Sequence, residues 1–125
     1  MNAITWFEIP AADFERAVTF YEAVMAVSLH RQVFNNEPNG IFPYNQESGV
    51  GGAVVQSPYS QPGTSGPVVY INAQSASNLD QILTRVESAG GKIVMPKTDI
   101  GAIGLIAMIV DTEGNRVGLH TQHDA

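Results

Sequence analysis

The sequence predicts an α+β protein built from two βαβββ modules whose curved mixed sheets pair around a cleft. Three observations carry that reading. Strand-like alternation and helical apolar stripes occur twice in the same order. A connector rich in Pro, Gly and Ser, residues 58–66, separates the two copies. Matching residues recur at nearly constant spacing: Glu8 and Tyr70 stand 62 positions apart, Phe14 and Leu79 65, and Gln56 and His120 64. One domain is expected over 1–125, with modules 1–57 and 67–125 joined by linker 58–66.

The elements follow in order. Ala3 to Ile9 places Ile4, Trp6 and Glu8 on one face and Thr5, Phe7 and Ile9 on the other, a strand stopped by Pro10. Asp13 is a helix N-cap, and Phe14, Ala17, Val18, Tyr21, Val24 and Met25 make one helical stripe, so a helix is expected over 13–26. Ser28–Phe34 and Gly40–Tyr44 read as strands around the turn Asn35–Gly40, and Ala53–Gln56 as a fourth strand. In the second module Pro67–Ala73 is a strand. Ser77 with Asp80 opens a helix striped by Leu79, Ile82, Leu83, Val86 and Ala89, and Gly90-Gly91 closes it. Lys92–Pro96 is a strand. Ile103–Val110 and Arg116–His120 then form a hairpin around Asp-Thr-Glu-Gly-Asn.

Composition narrows the function. With 44% hydrophobic residues and 14% charged, the chain has material for one core. A net charge of −6 argues against nucleic acid or an anionic membrane as partner, since both require a basic surface. Zero cysteines exclude disulfides and thiolate chemistry, leaving His, Asp and Glu as possible metal ligands. The first ten residues lack a basic segment followed by an apolar one, and no apolar run approaches the ~20 residues of a membrane span. A cytoplasmic location is the expectation.

Face parity selects the candidate site. If Phe7, Val55, Val69 and Leu119 pack under helices, then Glu8, Val54, Gln56, Val68, Tyr70, Gly118 and His120 turn to the cleft. Glu8 is an unusual carboxylate between large apolar residues. It reads either as a structural acid hydrogen-bonded to Tyr70 or His120, or as a cleft carboxylate able to act as base. A Glu8–His120 pair would suit proton abstraction beside a carbonyl. Trp6, Phe42, Tyr44 and Tyr70, with Gln56, are candidate ligand contacts, core packing being the alternative for the aromatic ones.

Asp13-Phe14-Glu15-Arg16-Ala17 with Phe20-Tyr21, Val86-Glu87-Ser88-Ala89-Gly90-Gly91-Lys92, and Asp111-Thr112-Glu113-Gly114-Asn115 before the last strand together resemble the vicinal oxygen chelate superfamily of glyoxalase, bleomycin-resistance and extradiol-dioxygenase proteins. The resemblance implies the paired-module fold, a small-molecule ligand and frequent homodimers. It implies either a lyase or isomerase acting on a small carbonyl metabolite, with Glu8 and His120 catalytic, or a non-catalytic binding protein of the bleomycin-resistance type. Family metal ligands carry over onto Trp6, Val68, Gly118 and a residue near Val54, and none of these side chains binds a divalent ion. A divalent metal is therefore not favoured and the cofactor stays open. One pleat further along the same strands (roughly 7 Å) stand Glu8, Gln56, Tyr70 and His120, of which Glu8, Gln56 and His120 form the one alternative ligand set.

Overall fold

The computed structural model describes residues 1–124. The elements run β1 (Trp6–Pro10), α1 (Phe14–Met25), β2 (His30–Phe34), β3 (Glu37–Ile41), β4 (Gly51–Val55), β5 (Tyr70–Asn72), α2 (Ala76–Val86), β6 (Lys92–Asp99), β7 (Leu105–Val110) and β8 (Arg116–Thr121), with a short 3-10 turn at Gly101–Ile103. They form two four-stranded sheets, ordered β1-β4-β3-β2 and β5-β8-β7-β6. In each, the first strand pairs parallel with the last and the other pairings are antiparallel. The expected α+β architecture of two βαβββ modules is thus present.

Local chemistry accounts for the helix ends. The Asp13 side chain accepts from the Arg16 N–H, and α1 closes at Ala26 in the left-handed conformation. The α2 cap is Ser75, accepting from the Asn78 N–H, two residues before the expected Ser77. The first hairpin turn is tighter than expected. Asn35 and Asn36 take φ of 52° and 63°, the left-handed pair of a two-residue hairpin, so β3 starts at Glu37 and not at Gly40.

Stripes from both helices meet in a single core. Ala17, Val18, Phe20 and Val24 of α1 and Leu79, Ile82 and Val86 of α2 are buried with Ile9, Val54, Ile109, Val117 and Leu119. Each helix lies on its own sheet and the two helices pack against each other. The helices therefore pack the modules together, and among the described residues no strand of one sheet pairs with a strand of the other.

Strand register corrects the expected face assignment. Glu8 stands beside Ala53 and Tyr70 beside Gly118, so the spacing between equivalent residues is 62 at the first strand of each module and 65 at the last. The counterpart of His120 is consequently Val55, and a slip of one residue reverses every side chain of a strand. Val54, expected in the cleft, packs in the core opposite Gly40 and Ile9; Ala53 and Val55 lie on the helix-free face. The helices keep the spacing of 62 from cap to cap, Asp13 to Ser75, which matches Ala17, not Phe14, with Leu79.

Candidate functional site

Each sheet leaves one face free of helix. On the first sheet that face carries Trp6, Glu8 and Tyr44. Trp6 is 38% exposed and meets Tyr44 edge to face, with ring centroids 6.0 Å apart at 78°. Tyr44 lies over Gly51, where a Cβ would come within 2.6 Å of the ring. Glu8 is exposed, and among the described residues its carboxylate has no hydrogen-bond partner. It is therefore not the buried structural acid that its apolar neighbours suggested.

On the second sheet the free face carries Tyr70, Asn72, Gly118 and His120. Tyr70 is 46% exposed and its ring covers Gly118 where any side chain would collide with it. Tyr70 and His120 line one hollow of about 510 Å³, together with Asn72, Gln74, Thr121, Gln122, His123 and Asp124. Gln74 holds a φ of 77°, an uncommon conformation for a side-chain-bearing residue, with its N–H on the Asn72 carboxamide oxygen at 2.8 Å. His120 places Nε2 2.8 Å from the carbonyl oxygen of Ile103.

The two expected catalytic residues are not brought together within one chain. Glu8 and His120 sit on separate sheets, and the hollow that holds His120 is lined by second-module residues alone. Two expected ligand contacts are also displaced. Phe42 is buried against Phe7 and Tyr21, at centroid distances of 5.7 and 5.5 Å, on the helix side of its sheet. Gln56 turns to the helix as well, its Oε1 accepting from the Phe14 N–H at 2.9 Å, which satisfies one of the free donors at the start of α1. It borders a second hollow of about 560 Å³ with Pro38, Pro58 and Pro62.

The donor set does not fit the metal that the fold family implies. The positions carried over hold an indole, two aliphatic side chains and a glycine. The alternative set loses Gln56 to the helix cap. Among the described residues no group of three or more His, Asp or Glu is arranged to hold an ion.

Sequence reasoning missed the role of Asp111–Asn115, read as a hairpin turn. This turn clasps the modules. Asp111 Oδ2 accepts from the buried Tyr21 hydroxyl at 2.6 Å and from Asn115 Nδ2 at 3.0 Å, while Oδ1 accepts from the N–H groups of Glu113 and Asn115. Asn115 Nδ2 also reaches the Pro10 carbonyl at 2.7 Å, at the end of β1. Burial first, then the Asp111 charge and hydrogen bond, pushes the Tyr21 phenol well above its usual value, so it is a fixed donor.

Glu113 completes the clasp. Its carboxylate takes Arg16 Nε at 2.7 Å and Arg16 Nη2 at 3.1 Å, the N–H groups of Ala12 and Asp13, and the Thr112 hydroxyl. Burial raises this carboxyl, but the hydrogen bonds from Arg16, Asp13 and Thr112 and the Arg16 charge outweigh it and hold the group below its ordinary value of 4.5. A carboxyl lowered by folding contributes stability that is present above its unfolded value and lost as pH falls through the folded one. Glu113→Gln is expected to cost about 1–2 kcal/mol at pH 7, measured by urea unfolding, with the difference from the parent closing below pH 4.5. A constant difference down to pH 3 would contradict this.

The comparisons agree with the geometry. A sequence model of the Glyoxalase/Bleomycin resistance protein/Dioxygenase superfamily matches residues 3–119. The Mycobacterium tuberculosis protein named "Putative glyoxylase CFP32" is 27% identical over 116 residues, covering 91% of this chain and 43% of that protein. The chain thus spans less than half the length of the curated relatives it matches. Among solved structures, a glyoxalase/bleomycin resistance protein from Albidiferax ferrireducens superposes with a TM-score of 0.73 at 15% identity, covering 99% of this chain and 100% of the other. The fosfomycin resistance protein FosX from Listeria monocytogenes gives 0.69 at 11% identity, covering 96% and 91%. At these identities the structures share the fold.

Proposed function

The chain belongs to the glyoxalase/bleomycin resistance protein/dioxygenase superfamily, and from that premise we propose that it is a homodimer acting on a small carbonyl metabolite by proton transfer. The helix-free face of the first sheet in one protomer meets that of the second sheet in its partner, which encloses the ligand. Glu8 removes the proton from a hydroxyl-bearing carbon beside the ligand's carbonyl, and the electron pair moves onto the carbonyl oxygen. His120 of the partner protomer accepts the hydroxyl proton and passes it to that oxygen, and Glu8 returns its proton to the former carbonyl carbon, leaving the carbonyl on the carbon first deprotonated. The observation that carries this reading is an exposed carboxylate with no partner among the described residues, set beside an aromatic pair on an open sheet face. No step passes through a metal.

Light scattering is expected to give twice the chain mass. Exchange of carbon-bound hydrogen with D₂O, followed by NMR over a panel of small 2-oxo and 2-hydroxy carbonyl compounds, tests the chemistry. Glu8→Gln should slow exchange by about 10²-fold or more while binding is retained. Unchanged exchange removes the carboxylate from the reaction. The Trp6–Tyr44 platform favours a second reading, a protein that only sequesters a planar compound. Tight binding with no exchange in the parent protein selects it.

A further inference from the structure

The segment between β6 and β7 is gripped by two imidazoles. His120 Nε2 lies 2.8 Å from the Ile103 carbonyl oxygen, and His123 Nε2 lies 2.9 Å from that of Gly101 and 3.2 Å from Asp99 Oδ1. The same Asp99 oxygen accepts the Gly101 N–H at 2.8 Å, and Ile100 and Gly104 close the turn with an N–H to carbonyl bond of 2.9 Å. A backbone carbonyl has no proton to give. Each of these ring nitrogens must therefore be the donor, and a ring that carries its proton on Nε2 leaves the lone pair on Nδ1.

We propose that the Ile103 carbonyl is a positioning group for His120: it fixes the ring in the Nε2–H form, so that Nδ1 is the nitrogen offered to the ligand. The inference rests on the role given to His120 above and names the atom that plays it. The turn is well suited to hold a carbonyl in place. It is braced at Gly101 by His123 and Asp99, and at Gly104 by close approach to Thr121, the residue after His120. Nε2 carries a proton in both the neutral and the charged ring, so the hold on Ile103 does not depend on the charge of the imidazole. Backbone carbonyls fix the ring of metal-binding histidines in the same way in other proteins.

Because a main-chain oxygen cannot be mutated away, the ring itself is the readout. Long-range ¹H–¹⁵N correlation spectra of the ¹⁵N-histidine-labelled dimer, assigned by the signals missing in His120→Gln, should show a protonated Nε2 and an unprotonated Nδ1. The Nε2 proton should be slow to exchange with water and give a nuclear Overhauser contact to Ile103 or Gly104. Averaged nitrogen shifts, or a proton on Nδ1, overturn the proposal. Gly104→Ala places a side chain at a φ of 126° against the Thr121 carbonyl and is expected to release the lock, returning His120 to averaged shifts. If this variant fails to fold, the parent spectrum alone decides. A locked ring in a protein whose hydrogen exchange ignores Glu8→Gln would refute the proposed reaction and leave this assignment standing. An averaged ring in a protein that depends on Glu8 would do the reverse.

Discussion

Asp111→Ala is expected to destabilise the protein by about 3–5 kcal/mol, measured as a shift in urea midpoint at constant slope. The carboxylate accepts four hydrogen bonds inside the clasp and is 4% exposed. Its removal strands the Tyr21 hydroxyl, which is buried and, raised well above its usual value, stays a donor at neutral pH. It also frees the N–H groups of Glu113 and Asn115. Buried donors without acceptors cost more than the bonds themselves contribute, so the loss exceeds a simple count of bonds. Tyr21→Phe removes one of those donors with its acceptor's bond and should cost only about 1–2 kcal/mol. If Asp111→Ala costs no more than Tyr21→Phe, the clasp adds nothing to the packing of the modules.

A comparable loss is expected where α1 touches the second module. Phe20 is 1% exposed, meets Tyr21 edge to face at 5.0 Å, and its ring fills the space above Gly91, where a Cβ would lie 2.6 Å from it. Phe20→Ala should cost about 3–5 kcal/mol, the transfer of the ring plus a cavity at the junction that neither helix can close. Domains of this size are stable by only about 5–15 kcal/mol, so either substitution consumes a large part of the total. Differential scanning calorimetry would show it directly, and a fall in midpoint no larger than that of an exposed control such as Tyr59→Ala would refute it.

The helices were legible because their period is local. Ala17, Val18, Tyr21 and Val24, and Leu79, Ile82 and Val86, repeat on one face and are buried on it. Face parity in β4 was not legible, for the opposite reason. Gly51–Val55 is buried along its whole length, so no alternation fixes which side chain turns where. Pairing Gln56 with His120 at a spacing of 64 puts every side chain of that strand on the wrong face. Of the candidate site, Trp6, Tyr44, Tyr70 and His120 do lie on helix-free faces, and Phe42 and Gln56 do not.

The clasp was hidden by its own composition. Asp, Gly and Asn are what a hairpin turn requires, and that local sense accounts for Gly114 at a φ of 90° and for the Asp111 caps on Glu113 and Asn115. Nothing within the turn announces that the same side chains reach Pro10, Arg16 and Tyr21, about 90 to 105 positions away. Turn chemistry can be read from five residues. Long-range pairing needs the fold.

The outer margins of the two sheets carry a last consequence, for how the protein keeps clear of itself. Where β6 runs along its border, register shifts on either side of Met95, the imino acid Pro96, and Lys92 and Lys97 make a poor template for a foreign strand. The corresponding border at β2 has an unbroken register and is fully exposed, holds no proline, and shows Val33 and Phe34 to water beside Arg31, which pairs with Glu15. Unwanted stacking of chains into larger aggregates would begin there, and a lysine at Val33 is the natural guard against it.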